Sequence, residues 1–385
     1  MAKKLSSLAS EARKLFPGAD PITRLSKDMK DAAKLMGLME ARYLVDAYYQ
    51  YQNVRIRAKH QVDRCGDANE PTELLRWAHG NFDQIESDVK RSLGVFAAEY
   101  AVGEWLQSIC GIAEVMSAGF LTTFDIRERL VSKCVCTDKD QDKKHGDHRR
   151  SMRPIGGSAD GAVLRFQCTG RKGKGEKEHD KTDEPVSKDT SCKVVREIHV
   201  NDLTAGDVLI RPTTVGHFWN YAGLNPTIKW EKGTVRPWNA RAKVLCFKAG
   251  ESFIKVKNND NDFYGKLYDA RRQKEEAKNQ AGDYKETALA CAESVGKKTI
   301  AYKSYSQGKL PPAHLVARAR RYAVKMFLSH LHDVMYRDYY GEAPPVPFVF
   351  SKHYKGEERH THYIEQPYID SSGRDLRAMY GEIDG

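Results

Sequence analysis

The chain has 385 residues, of which 40% are hydrophobic and 30% are charged, so it can bury a sizeable core and its length suggests two or three domains. This balance excludes an unfolded chain. Lysine and arginine outnumber aspartate and glutamate by 63 to 52, and the formal charge of +11 favours a polyanionic partner, with a basic enzyme of spread charge as the alternative.

The N-terminal residues MAKKLSSLASEARKLF lack the apolar core of a signal peptide. No later run approaches the roughly 20 apolar residues that span a bilayer. Eight unevenly placed cysteines do not form the framework of a secreted disulfide-rich protein. We therefore expect a cytoplasmic protein with no membrane partner.

Two long helices are predicted in region 1–105. Apolar residues recur mostly every three or four positions from 21 to about 64, and turn residues follow at 65–73. A near-heptad seam then consists of Ala78, Phe82, Ile85, Val89, Leu93, Phe96 and Tyr100. The region is predicted to be a helical hairpin. Its seam either recruits a second copy, which makes a homo-oligomer, or only holds the hairpin together.

A glycine-containing joint is predicted at 106–133. The run LQSICGIAEVMSAGFLTTFDI resembles a helix-hairpin-helix element, in which glycine lets N–H groups at a helix N-terminus meet a DNA phosphate. The candidate phosphate-binding residues are Gly111, Ile112 and Ala113. The competing interpretation is that the joint serves packing alone.

The composition changes at about residue 134, and region 134–212 is polar with strand-like runs at 162–168, 192–200 and 207–212. We predict a small β-rich insertion. Its thiol and imidazole groups suit tetrahedral zinc, but no C-x2-C pair is present, so unligated thiols remain the alternative. The candidate zinc ligands are Cys134, Cys136, His145, His148, Cys168 and Cys192.

Region 213–340 combines a tight turn, aromatic residues and cations. Three tryptophans lie between residues 218 and 253, with one carboxylate before Glu251. Trp230 and Trp238 lie among cations and can stack on exposed bases, whereas Trp219 is expected in the core. The candidate nucleic-acid contacts here are Trp230, Lys232, Arg236, Trp238, Arg241, Lys243 and Lys248.

Helices are also predicted at 270–278 and 314–340. The second of them carries Arg318, Arg321 and Lys325 away from its apolar face. This stripe either tracks a phosphate backbone or is a solvated helix face. The tail 341–385 contains Pro and His without a firm spacing.

The order of these segments resembles the C-terminal half of the DEDD-type insertion-sequence transposases. The segments are the hairpin, the joint, the YAGLNP turn at Tyr221 to Pro226, the basic stretch and the terminal helix. These are recombinases guided by a bridge RNA. The resemblance covers about residues 74–130 and 213–340. It implies a DNA-binding protein of transposition or recombination, with DNA and a structured RNA as partners.

The fold expected on this basis is mainly α. It consists of a long helical hairpin and a transposase-like domain containing a helix-hairpin-helix, interrupted by the small β-rich insertion.

The sequence departs from the family pattern at both catalytic parts. The first 70 residues show no strands with acidic residues, so the RuvC-like domain with its metal-binding carboxylates is expected to be missing. Lys232 stands where the family has its nucleophilic serine, and Ser252 is the nearest substitute. We expect DNA binding without the usual catalytic serine. The alternatives are an active serine recombinase and an RNA-binding or regulatory module on a transposase frame.

Overall fold

The computed structural model describes residues 24–68, 72–133, 149–158, 162–168, 195–199, 201–203, 207–225, 228, 230–231, 233–234 and 236–345. The chain divides into a helical unit, Met1–Asp125 with Thr214–Gly385, and a sheet unit, Ile126–Thr213. The described residues contain eleven helices and one small sheet, so the predicted mainly α fold is confirmed. Within the described ranges, no helix has the length and apolar character needed to cross a bilayer.

The first half of the helical unit is built around the predicted hairpin. Its helices are α1 (Lys27–Lys34), α2 (Leu38–Asp67), α3 (Glu73–Ala98), α4 (Ala101–Ser108) and α5 (Glu114–Thr123). Helix α3 packs mainly on α2 and also contacts α1, α4 and α5.

The α2–α3 contact is partly polar, because Nε of Arg55 donates to Oε2 of Glu86 over 2.5 Å and Glu86 is buried. On the predicted seam, Leu93 and Phe96 are fully buried within the chain, whereas Phe82, Ile85 and Val89 are half-buried. The C-terminal part of the seam is therefore used for internal packing.

The second half of the helical unit contains one long helix against which other helices pack. Its helices are α6 (Gly216–Tyr221), α7 (Ala240–Val256), α8 (Tyr264–Ala281), α9 (Lys285–Glu293), α10 (Ile300–Tyr305) and α11 (Pro312–Tyr340). The ring of Phe327 on α11 lies 4.8 Å from that of Phe120, 5.5 Å from that of Phe253 and 5.4 Å from that of Tyr264. These rings join α5, α7, α8 and α11 in one core.

The sheet unit is an antiparallel sheet in the order β4-β3-β2-β1-β5. Its strands are β1 (Arg129–Lys133), β2 (Arg149–Gly157), β3 (Val163–Cys168), β4 (Val195–His199) and β5 (Val208–Ile210). The unit begins at Ile126, earlier than the boundary predicted at residue 134, because β1 pairs with both β2 and β5. The core is formed by Leu130, Met152, Phe166 and Ile198.

Candidate nucleic-acid interface

The turn that follows α6 fixes the position of Trp238. Gly223 has φ +67°, and a Cβ at this position would lie 2.8 Å from Cγ of Trp238. Glycine alone tolerates both this backbone and this close indole. Asn239 then donates its N–H to the Tyr221 carbonyl over 2.9 Å and accepts from the Ala242 N–H over 3.0 Å, which starts α7.

Three indole rings near this turn each have a cation over the ring face. The distances to the ring centroids are 5.5 Å for Arg236 over Trp230, 4.0 Å for Lys243 over Trp238 and 4.9 Å for Lys325 over Trp219. The first two indoles lie edge to face, with centroids 6.4 Å apart. With Arg321, which acts electrostatically on two of these cations, these residues are called the tryptophan-cation face: Trp219, Trp230, Arg236, Trp238, Lys243, Arg321 and Lys325.

The two lysines of the tryptophan-cation face have lowered pKa values. Burial lowers the pKa of Lys243, and the charges of Arg236 and Arg321 lower it further. Burial also lowers the pKa of Lys325, again with a contribution from Arg321. Among the described residues, none of these four side chains forms an ion pair with a carboxylate. Like charges held together without a counter-charge favour the binding of a polyanion.

Three other predicted contacts lie outside the tryptophan-cation face, and two of them are paired with carboxylates. Nε of Arg318 donates to Oε2 of the buried Glu275 over 2.6 Å, so its charge is neutralised. Arg241 pairs with Asp46. The ammonium of Lys248 lies over the ring of Tyr49. The stripe predicted on α11 is therefore divided, with Arg321 and Lys325 on the tryptophan-cation face and Arg318 in a structural ion pair.

The glycine-containing joint packs against α7. Gly111 has φ +94°, its carbonyl accepts from Oγ of Ser252 over 2.6 Å, and a Cβ there would lie 3.1 Å from Cγ2 of Val256. Ile112 is buried, and Ala113 is followed by Glu114 in the first turn of α5, where a carboxylate opposes phosphate binding. This geometry favours the packing interpretation over phosphate binding.

Several predicted site residues lie outside the described residues. They are Lys232 and, of the candidate zinc ligands, Cys134, Cys136, His145, His148 and Cys192, together with the side chain of Cys168. In the part of the chain that the structure describes, no group of three or more His, Cys, Asp or Glu side chains is placed to hold a metal ion.

Trp219 is the member of the tryptophan-cation face that the sequence assigned to the core. Its ring is half-buried, and its Nε1 donates to the carbonyl of Lys325 over 3.2 Å. The two residues are 106 positions apart, so no local spacing in the sequence indicates this contact.

Comparisons of the chain with protein-family models, with curated proteins and with solved structures find no significant match. The resemblance to DEDD-type transposases therefore rests on the sequence motifs alone.

Proposed function

We propose that the protein binds nucleic acid, with DNA as its partner, through the tryptophan-cation face. In this proposal it serves DNA transposition or recombination in the cytoplasm as a binding factor, without strand transfer. The observation that carries the proposal is the grouping of four cations, free of ion pairs among the described residues, with three indole rings.

The two kinds of side chain on the face have different roles in binding. Lysine and arginine release condensed counterions when they contact phosphates, which gives affinity without sequence preference. Indole rings stack on unpaired bases, and every base offers a face for stacking. A surface that combines them suits DNA in which some bases are unpaired, as they are during strand exchange.

Stacking predicts a specific effect of the exposed indole Trp230. We expect Trp230→Ala to weaken binding of a single-stranded oligonucleotide by about 1–3 kcal/mol, and that of a duplex by less, because bases in a duplex are already stacked. Fluorescence anisotropy with both DNAs measures the difference. Trp77→Ala is the matched control, since Trp77 on α3 and Trp230 are each 38% exposed. Equal losses for the two variants would show that Trp230 does not stack.

The position of Ser252 supports binding without strand transfer. Ser252 lies within α7, and its hydroxyl donates to the Gly111 carbonyl. A serine nucleophile needs a base that takes its proton, and a carbonyl oxygen does not act as one. Lys232 can pair with a phosphate but cannot form a phosphoserine linkage.

We therefore expect no covalent protein-DNA band when the wild-type protein is incubated with radiolabelled DNA and denatured. Lys232→Ala should reduce the salt slope of binding by about 1 and should also give no band. A band that persists in Lys232→Ala and disappears in Ser252→Ala would identify a serine recombinase that uses Ser252.

The RNA-binding alternative makes a different prediction in the same assay. A duplex RNA of matched length should bind no more tightly than duplex DNA if DNA is the partner. Tighter RNA binding at every salt concentration would replace DNA by RNA in the proposal.

A further inference from the structure

Helices α2, α5 and α7 enclose a groove of about 280 Å³ in the helical unit. Its apolar walls include Val45, Val244 and Leu245. Gly119 keeps the groove open, because a Cβ there would lie 3.1 Å from Cδ1 of Leu245 and 3.7 Å from Cγ1 of Val45. The groove volume is near the lower end of the roughly 300–1,000 Å³ typical of small-molecule sites.

The charges that line this groove are unbalanced. Three cations and one carboxylate line it, and the carboxylate, Asp46, is already paired with Arg241. The remaining cations are Arg42 and Lys248, and neither forms an ion pair within the described ranges. The groove therefore has two positive charges in excess.

Neither of these two cations is fully satisfied by the protein. Nη2 of Arg42 donates to the Thr122 carbonyl, but its Nε is buried with no acceptor among the described residues. A buried donor without an acceptor is costly, and the charge of this guanidinium favours an anion in the groove. Lys248 lies over the ring of Tyr49, and burial lowers the pKa of its ammonium to about 8.

We propose that this groove binds a small organic anion, with its apolar body against Val45, Val244 and Leu245 and its charged group paired with Arg42 and Lys248. The apolar walls select a ligand with a hydrocarbon or aromatic body over an inorganic anion. The small volume excludes a helix or a folded partner. The site is separate from the tryptophan-cation face, since it shares none of that face's residues.

The sign of the pH dependence follows from Lys248. A bound anion favours the charged ammonium, so binding takes up protons. Affinity should therefore fall as the pH rises above about 8.

A pair of fluorescent dyes tests the proposal on the full chain. The anion 8-anilinonaphthalene-1-sulfonate and its neutral counterpart N-phenyl-1-naphthylamine share the same apolar body. Lys248→Met keeps the apolar stem and removes the charge, so it should weaken the anion roughly tenfold and leave the neutral dye unchanged. Lys255→Met on the same helix is the matched control, because Lys255 is exposed outside the groove and should change neither.

Two further readouts decide the test. Val244→Trp fills the groove from a half-exposed helix position and should reduce binding of both dyes. Displacement of the anionic dye by 2-naphthoate or by 2-naphthyl phosphate shows whether the site takes a carboxylate or a phosphate monoester. Equal anion affinity in Lys248→Met and Lys255→Met, or displacement by neither compound, would overturn the proposal. Lys248→Met should leave the salt slope of DNA binding unchanged. The dye experiment therefore tests the anion site independently of the proposal that the tryptophan-cation face binds DNA.

Discussion

Replacing Arg236, Lys243 and Arg321 together by glutamine is expected to weaken duplex DNA binding on the order of 10²-fold at about 0.1 M salt. Each lost phosphate contact removes about 0.9 from the slope of log affinity against log salt, so three contacts remove about 2.7. The reason is that these cations have no carboxylate partner among the described residues, and that the charges of Arg236 and Arg321 both act on Lys243. Anisotropy titrations at several salt concentrations measure both quantities.

The matched control removes the same number of charges elsewhere. Glutamine at Lys255, Lys274 and Lys278 on α7 and α8 also changes the formal charge from +11 to +8. These lysines are exposed, and their replacement should change the slope by less than about 1. If both triple variants lose slope equally, overall charge and not the tryptophan-cation face determines binding.

Glu275→Ala is expected to reduce the free energy of unfolding by about 3 kcal/mol. Glu275 is 1% exposed and accepts from Arg271, Arg318 and the hydroxyl of Tyr284. Its loss leaves two guanidinium groups without their carboxylate. Because both are partly exposed and can reach water, the cost should lie at the lower end of the range for breaking a buried ion pair. Urea unfolding measures it.

The neighbouring ion pair on α8 provides the control for Glu275→Ala. Glu276 is the neighbouring carboxylate, and its side chain is 45% exposed where it pairs with Arg272, so Glu276→Ala should cost about 0.5 kcal/mol. Equal losses of unfolding free energy in Glu275→Ala and Glu276→Ala would contradict the structural role of the buried Glu275.

Burial raises the pKa of Glu275, but the hydrogen bonds of Tyr284 and Arg318 and the charges of Arg271 and Arg318 outweigh it and hold the pKa below its usual value. The stabilisation is therefore present above the ordinary glutamate pKa and is lost as the pH falls through the lowered folded-state value.

The sequence predicted the long helices well, because their apolar residues repeat over many turns. Helices α2, α3 and α11 all fall within or close to the predicted segments. The sequence does not predict strands β1 and β2, because their segments, RLVSK and RRSMRPIGG, are rich in charged residues and β2 contains Pro154 and two glycines. The segments VLRFQC of β3 and VREIH of β4 carry more β-branched and aromatic residues, so these strands are recognisable in the sequence.

Only those residues of the tryptophan-cation face that are close together in the sequence could be predicted as a group. Trp230, Arg236, Trp238 and Lys243 lie close together in the chain, and their grouping was visible in the sequence. Arg318 and Arg321 belong to the same helical stripe, but only Arg318 meets a buried carboxylate, and that carboxylate is 43 positions away. Tertiary contacts of this kind decide which cations remain available for a ligand.

The groove lined by Arg42 and Lys248 was not predicted at all. It is built from three helices whose lining residues span 42 to 248, and no motif connects them. The sequence predicts that Lys248 contacts nucleic acid, because it follows other cations in the chain. Its burial over Tyr49 is a property of the packed helices α2 and α7.

The most direct test of nucleic-acid binding is a salt titration of the wild-type protein with duplex DNA between about 50 and 200 mM salt. If the four cations of the tryptophan-cation face each contact a phosphate, the slope of log affinity against log salt should be about −3 to −4. A slope near zero over this range would contradict the proposal that this face binds a phosphate backbone.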